Sequence, residues 1–246
     1  LGSKSQVTLY KGHLGVGVTE PSGQLELAGD ERIQEYPPGP MSGYETLIPG
    51  HGVFCASASS EYSSNYAPWK AFNGVWDNGN DSWASGNGTV VEATGLPSST
   101  AANFQGISGN WIQLKLPYTI YLKQFKFESR DSPDSPEELP GSGIVYGSND
   151  EVSWDVVHSF NNIDYGGASG TVRPLFTVNS TKHYSIYRLL VTKNYLAETT
   201  VVWNDIGEWR LFGTPGPTTL DKGSLSLTRS LDVPRVSRYD VDTETP

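Results

Sequence analysis

The sequence predicts an all-β protein, and three observations carry that prediction. The first is composition: of 246 residues only 18% are charged, while there are 27 Gly, 16 Pro, 13 Tyr and 7 Trp. Few charges with many turn formers and aromatic residues suit strands joined by long loops better than helices. The second is a period-two alternation of apolar and polar residues that returns along the middle of the chain. The third is the lack of helical periodicity beyond a single turn near Ala67–Phe72.

Taken in order, residues 1–50 form an arm and linker. Val7–Tyr10 suits a strand, and Leu25 and Leu27, with Gln24 and Glu26 beside them, suit another that is half-buried. The run 36–50, YPPGPMSGYETLIPG, is rich in Pro and Gly and reads as a linker. Residues 51–215 form the main domain. Its strand candidates are Val53–Ala58, Trp111–Leu116, Tyr121–Ser129, Gly143–Gly147, Trp154–Phe160, Leu175–Val178, Ser185–Lys193 and Asp205–Phe212. Ile112, Leu114 and Leu116 share a face, as do Phe125 and Phe127, and Tyr187, Leu189 and Val191. About eight such strands make an antiparallel sandwich or jelly roll. Residues 216–246 are polar, bounded by Pro and short of aromatics, and read as an extended tail.

Several function classes are disfavoured. The net charge of −10 argues against a nucleic-acid backbone or an anionic membrane as partner. The single Cys, Cys55, leaves no internal disulfide, and no apolar run has the length of a membrane span. For catalysis the inventory is poor. His13, His51, His158 and His183 lack metal spacing, no G-x-S-x-G occurs, and Glu137-Glu138 lie in a Pro-rich acidic stretch. Asn80, Asn87 and Asn179 open Asn-x-Ser/Thr triplets, which matter only in a secretory pathway. The start at Leu1 and the uncapped tail suggest a piece of a longer polypeptide.

The stretch Ala56–Gly86 reads as a structural corner. Small hydroxyl residues lead through a Pro to Lys70-Ala71-Phe72-Asn73-Gly74, then an Asn/Asp/Gly loop, then Trp83. Backbone carbonyls and short oxygen side chains at such a turn suit a hard cation, and equally a metal-free turn held by Asx hydrogen bonds. This stretch is also the first of seven landmarks: ASASSEYSSNYAPWKAFNG, DSWASG, GNWIQLKLP, FKFESRD, YGSNDEVSWDVV, YSIYRLLVTKN and IGEWRLFGTP. In this order, over about two thirds of the chain, they resemble the discoidin or coagulation factor V/VIII type C domain, in its family-32 carbohydrate-binding-module branch. The resemblance implies an eight-stranded antiparallel β-sandwich with neighbouring termini and binding loops at one end. The chain departs from the blood-clotting members, because nothing near Thr214 answers Cys55. Its Ser85–Asn110 segment is longer than usual, as if to carry a hairpin or cover one face. The flanks resemble surface or fibre proteins of large algal viruses, where such an N-terminal arm threads into a trimeric shaft or joins one bead to the next; an ordinary extended arm packed on the main domain is the alternative.

What the resemblance implies about chemistry is specific. A structural calcium ion would take the carbonyls of Lys70 and Gly207, the side chain of Asn73, and oxygens of Asp81 and Glu208. Asn73 stands where the family usually has Asp, which weakens that site, and Asp77 or Asn78 could compensate. Trp83, Trp111, Trp154 and Trp209 fall at core landmarks. Trp69, Trp76 and Trp203 fall in loops, where an indole suits stacking on a sugar. Trp203 and Arg130 are the foremost ligand candidates, with Trp76, Tyr62, Tyr195 and Asp134 around them. The function expected is a non-catalytic carbohydrate-binding or adhesion module. Its ligand would be a glycan or polysaccharide, and its place an extracellular or virion surface within a larger protein. A structural role in virion assembly and a protein-binding adhesion role are the alternatives.

Overall fold

The computed structural model describes residues 7–11, 13–16, 25–27, 32–75, 81–130, 138–166, 174–195 and 202–216. A small three-stranded sheet comes first: β1 (Val7–Tyr10) pairs antiparallel with β2 (His13–Val16), which pairs parallel with β3 (Leu25–Leu27). The main body follows with β4 (Gln34–Tyr36), β5 (Glu45–Ile48) and β6 (Gly52–Ala58). Two 3₁₀ turns, Ser64–Tyr66 and Pro68–Phe72, precede the short strands β7 (Trp83–Ala84), β8 (Asn103–Phe104) and β9 (Ile107–Ser108). Then come β10 (Asn110–Glu128), β11 (Pro140–Ser148), β12 (Asp155–Phe160) and β13 (Phe176–Thr177). The last are β14 (Tyr184–Asn194), β15 (Asp205–Ile206) and β16 (Glu208–Pro215).

The chain is an all-β antiparallel sandwich, as predicted. Nine strands are hydrogen-bonded into one sheet, and that sheet folds back on itself along β10. The first half of β10 pairs with β14 and β6, and its second half pairs with β16 and β13. The register slips between Lys115 and Ile120, around Pro117, which is where the strand passes from one layer to the other. One layer runs β12-β11-β14-β10-β6-β5 and the other β13-β10-β16-β4. Between them, Phe125 stacks on Phe176 at 4.6 Å, and Phe125 and Phe127 meet Phe160 of β12 at 6.2 and 5.7 Å. Ile112, Leu114, Tyr187, Leu189, Trp83 and Trp209 are fully buried in the same core.

Several expectations differ from this architecture. Trp111–Leu116 and Tyr121–Ser129, read as two strands, are one. Asp205–Phe212 is divided at Gly207, with β15 pairing β7 and β16 entering the main sheet. A Cβ at Gly207 would lie 2.8 Å from the backbone of Ser129 and Arg130, so only glycine lets the two segments touch there. Residues 36–50 are not a linker: β4 pairs with β16, β5 pairs with β6, and Tyr36, Met41 and Ile48 are buried in the core. The long segment after Ser85 both forms a hairpin, β8–β9, and lays Phe104 on the outer face of the β14 layer. Trp111 and Trp154 depart from their core expectation, since both lie half-buried on that outer face. Trp76, Asp77, Asn78, Asp134 and residues 217–246 lie outside the described residues.

Candidate functional site

Tyr62 and Tyr66 of one loop, Trp203 and Arg130, from three segments distant in sequence, meet at one end of the sandwich. The backbone N–H of Tyr62 donates to the carbonyl of Ala84 at 2.8 Å, fixing its loop to β7. Its ring lies 5.3 Å from that of Trp203 and 5.6 Å from that of Tyr66. Tyr62 is 47% exposed while Trp203 and Tyr66 are half-buried. The Tyr62 ring stands at 58° to Trp203 and 86° to Tyr66, so the three rings form an angled shelf rather than a flat one, with Tyr62 on its open side.

Trp203 is held by a buried polar network rather than by a strand. Its carbonyl accepts from Asn194 Nδ2 at 2.9 Å, and Asn204 Nδ2 donates to Asn194 Oδ1. Asn110 Nδ2 donates to Asn204 Oδ1 at 2.7 Å and to Thr89 Oγ1 at 3.0 Å. Backbone bonds between Ser85 and Asn204, and between Val90 and Val202, complete the frame. Buried amide groups that are so bonded fix a single geometry, because each partner lost would leave a costly orphan.

Arg130 sits beneath the shelf. Its Nη2 donates to Glu138 Oε1 at 2.9 Å, its Nη1 lies 3.4 Å from Asp205 Oδ2, and it shares a hydrogen bond with Tyr66. Burial works against its charge, but the two carboxylates outweigh that and raise its pKa. Burial likewise raises the pKa of Asp205, against the pull of Arg130 and the Ser82 hydroxyl. The guanidinium is therefore committed to two buried acids and positions Tyr66 instead of reaching outward. Tyr195 is placed differently. Its hydroxyl donates to Asp164 Oδ1 at 2.7 Å, its ring packs on Tyr165 at 5.1 Å, and its backbone N–H donates to the carbonyl of Leu139 at 2.8 Å.

Three of the expected metal ligands, Asn73, Asp81 and Glu208, meet at one corner. Glu208 Oε1 accepts from the N–H of Gly74 at 2.5 Å, and the N–H groups of Asn73 and Val75 point at the same carboxylate. Asn73 Oδ1 accepts from Val75 N–H at 2.8 Å, and its Nδ2 donates to Asp81 Oδ1 at 2.9 Å. Lys70 Nζ lies 3.6 Å from the same Asp81 oxygen. Burial pushes the Glu208 pKa up to about 8 despite those N–H donors. The donor set fits a cation in part. Two carboxylates reach one turn and Glu208 lacks a cationic partner among the described ion pairs, yet N–H groups and an ammonium occupy the oxygens a metal would use. No group of three His, Cys, Asp or Glu side chains suited to a metal occurs among the described residues.

Beside this corner lies a cleft of about 610 Å³, walled by residues 34–40, Phe72 to Gly74 and Glu208 to Arg210. Arg210 pairs with Glu35 there through two bonds of 2.6 and 2.7 Å. Sequence reasoning missed this cleft because β4 was hidden in a Pro/Gly-rich run.

No family model matches the sequence, and no curated protein matches it. Among solved structures, the family 32 carbohydrate-binding module of Clostridium perfringens NanJ, in complex with galactose, is similar at 13% identity. The match covers 65% of this chain and 93% of that one, with a TM-score of 0.45. A family-32 module, CBM32-3 of a C. perfringens family 31 glycoside hydrolase, is 17% identical over 69% of this chain and 95% of its own, with a TM-score of 0.46. An F5/8 type C domain from Bacteroides fragilis is 14% identical over 66% and 92%, with a TM-score of 0.45.

Proposed function

We propose that the chain is a non-catalytic glycan-binding module that takes a sugar on the Tyr62–Trp203 shelf. The observation that carries this reading is the shelf itself: two aromatic rings 5.3 Å apart, one open to solvent, on loops held by buried hydrogen bonds. A pyranose presents an apolar C–H face that packs on such rings, and a preordered shelf loses little entropy on binding. Arg130 supports the shelf through Tyr66, a positioning role in place of the direct contact expected from the sequence. Asp205 and Glu138 balance its charge, which favours neutral sugars at this end.

The test is a glycan array followed by calorimetry on the hits. Tyr62→Ala and Trp203→Ala should each weaken binding about tenfold or more, with the fold kept by circular dichroism. Unchanged affinity in both variants would remove the shelf from the function. The wider setting we propose is a larger surface or fibre protein, extracellular or on a virion, with further modules and a trimer formed through the N-terminal arm. Light scattering with and without residues 1–31 tests the trimer.

Calcium at the Asn73 corner belongs to the same proposal, supported by the buried Glu208 carboxylate and its neighbour Asp81. An ion there has to displace the Lys70 ammonium and the 73–75 N–H groups, so weak binding is expected. Calorimetric titration with calcium should give a signal that Asp81→Asn abolishes. An identical melting temperature in calcium and in chelator would take the metal out of the reading.

A further inference from the structure

A second cluster of aromatic side chains lies on the outer face of the β14 layer, away from the shelf. In β10 the alternation that points Ile112 and Leu114 into the core sets Trp111, Gln113 and Lys115 on the opposite face, where Gln113 is itself covered and buried. The register sets Arg188 of β14 directly between Gln113 of β10 and Tyr146 of β11. Two further rings arrive from outside the sheet, Phe104 from β8 and Trp154 from the β11–β12 connection. The Arg188 guanidinium carbon lies 4.0 Å from the centre of the Trp111 ring and 4.4 Å from those of Phe104 and Trp154. Its Nε and Nη2 donate to Gln113 Oε1 at 2.9 and 2.6 Å. Trp154 is itself fixed, its Nε1 donating to the carbonyl of Glu151 at 3.1 Å.

The charge on this guanidinium has no counter-ion among the described residues. Among the described residues Arg188 makes no ion pair. Glu151, the acid whose field reaches it, is bound to Lys115 at 2.7 Å. Nη1 has no acceptor among the described residues, and it is not one of the buried polar atoms that lack a partner, so it meets solvent. Burial lowers the Arg188 pKa to about 10, which leaves it charged at neutral pH. A cation is thus pinned along one edge, framed by rings and open along another edge, in a chain of net charge −10.

We propose that this frame is a second binding site, which takes the carboxylate of an acidic sugar residue. It rests on the glycan-binding reading above and extends it to a different ligand class. A carboxylate on the open edge of a guanidinium makes charge-assisted hydrogen bonds, and Gln113 holds that edge in place before the ligand arrives. The rings offer apolar surface to the sugar C–H groups and lower the local dielectric around the ion pair. A neutral sugar gains only the second of these contributions. The shelf and the frame therefore divide the ligand classes: Arg130 is balanced by two acids, whereas Arg188 is not.

The experiment is an NMR titration of the full isotope-labelled chain with D-glucuronate. The Arg188 Nε–H and the Trp111 and Trp154 indole N–H signals should shift and saturate, with affinity that falls as salt is added. D-glucose should bind about tenfold more weakly at these signals or not at all. Arg188→Gln should cost about tenfold or more, while Tyr62→Ala and Trp203→Ala should leave the titration unchanged. The proposal is overturned if the signals do not move, if glucose or acetate moves them with the same affinity, or if a folded Arg188→Gln chain binds as the parent does. Tighter binding of an acidic peptide than of glucuronate would overturn it too, in favour of a protein surface. Should Arg188→Gln fail to fold, the signals of the parent chain decide. Loss of neutral-glycan binding at the shelf leaves this result standing, so the two readings fail separately.

Discussion

Single side chains decide where this sandwich is rigid. Tyr187 is fully buried and its hydroxyl donates to the carbonyl of Ile120 at 2.6 Å, close to where β10 changes layer. Tyr187→Phe leaves that carbonyl without its donor and should lower stability by about 1–3 kcal/mol in a urea titration. At the β11–β12 turn, Asp150 accepts from the N–H groups of Ser153 and Val152, and its pKa falls to about 2. The sign follows from the carboxylate being the bonded form. Its contribution is present above the unfolded value near 3.8 and is lost as the pH falls through about 2. The Val152 and Ser153 amide signals should therefore hold their positions at pH 4 and move only in stronger acid, and movement already near pH 4 would contradict the turn geometry. The residues that meet at the shelf were legible only in part. Trp203, Tyr62 and Arg130 were readable as candidates, because loop aromatics and a strand-end Arg stand out. That Arg130 faces inward was not, since its partners Glu138 and Asp205 lie in other segments.

Elements were legible where alternation is uninterrupted and illegible where Pro breaks it. Both apolar runs of β10 were visible, but Pro117 and Tyr118 between them looked like a gap. In the structure they are the bend that carries one strand through both layers. The segment 34–48 was hidden for the same reason, although Tyr36 at 1% exposure is among the largest buried side chains. Tyr36→Ala should cost about 3 kcal/mol, and a chain beginning at His51 should melt well below one beginning at Arg32. Equal melting temperatures for those two chains would return 34–48 to the status of a linker. The β8–β9 hairpin is attached to the sheet mainly through Phe104. Phe104→Ala should raise hydrogen exchange in residues 103–108 while leaving β14 protected, and unchanged exchange there would mean the hairpin is held otherwise.

At the scale of the molecule, two bodies of chemistry are kept apart by the layers. The end with the shelf is organised by buried amides and a compensated arginine, whereas the outer face of the β14 layer carries one that no acid among the described residues compensates. Neither arrangement could be read from the sequence, because the shelf joins Tyr62 to Trp203 and the frame joins Phe104 to Arg188, residues far apart along the chain. The seven ordered landmarks located the strands but not what their outer faces meet. Antiparallel pairing also sets Gln34 of β4 opposite Gly213 of β16, so the chain enters and leaves the body side by side. Tension applied through both flanks then peels β4 from β16 one hydrogen bond at a time, instead of loading the bonds together in shear. Pulled from its two ends, the module should yield first at that edge and at low force, surrendering a short length of chain while the β14 layer stays folded. Single-molecule stretching that showed one abrupt, high-force rupture of the whole body would contradict this.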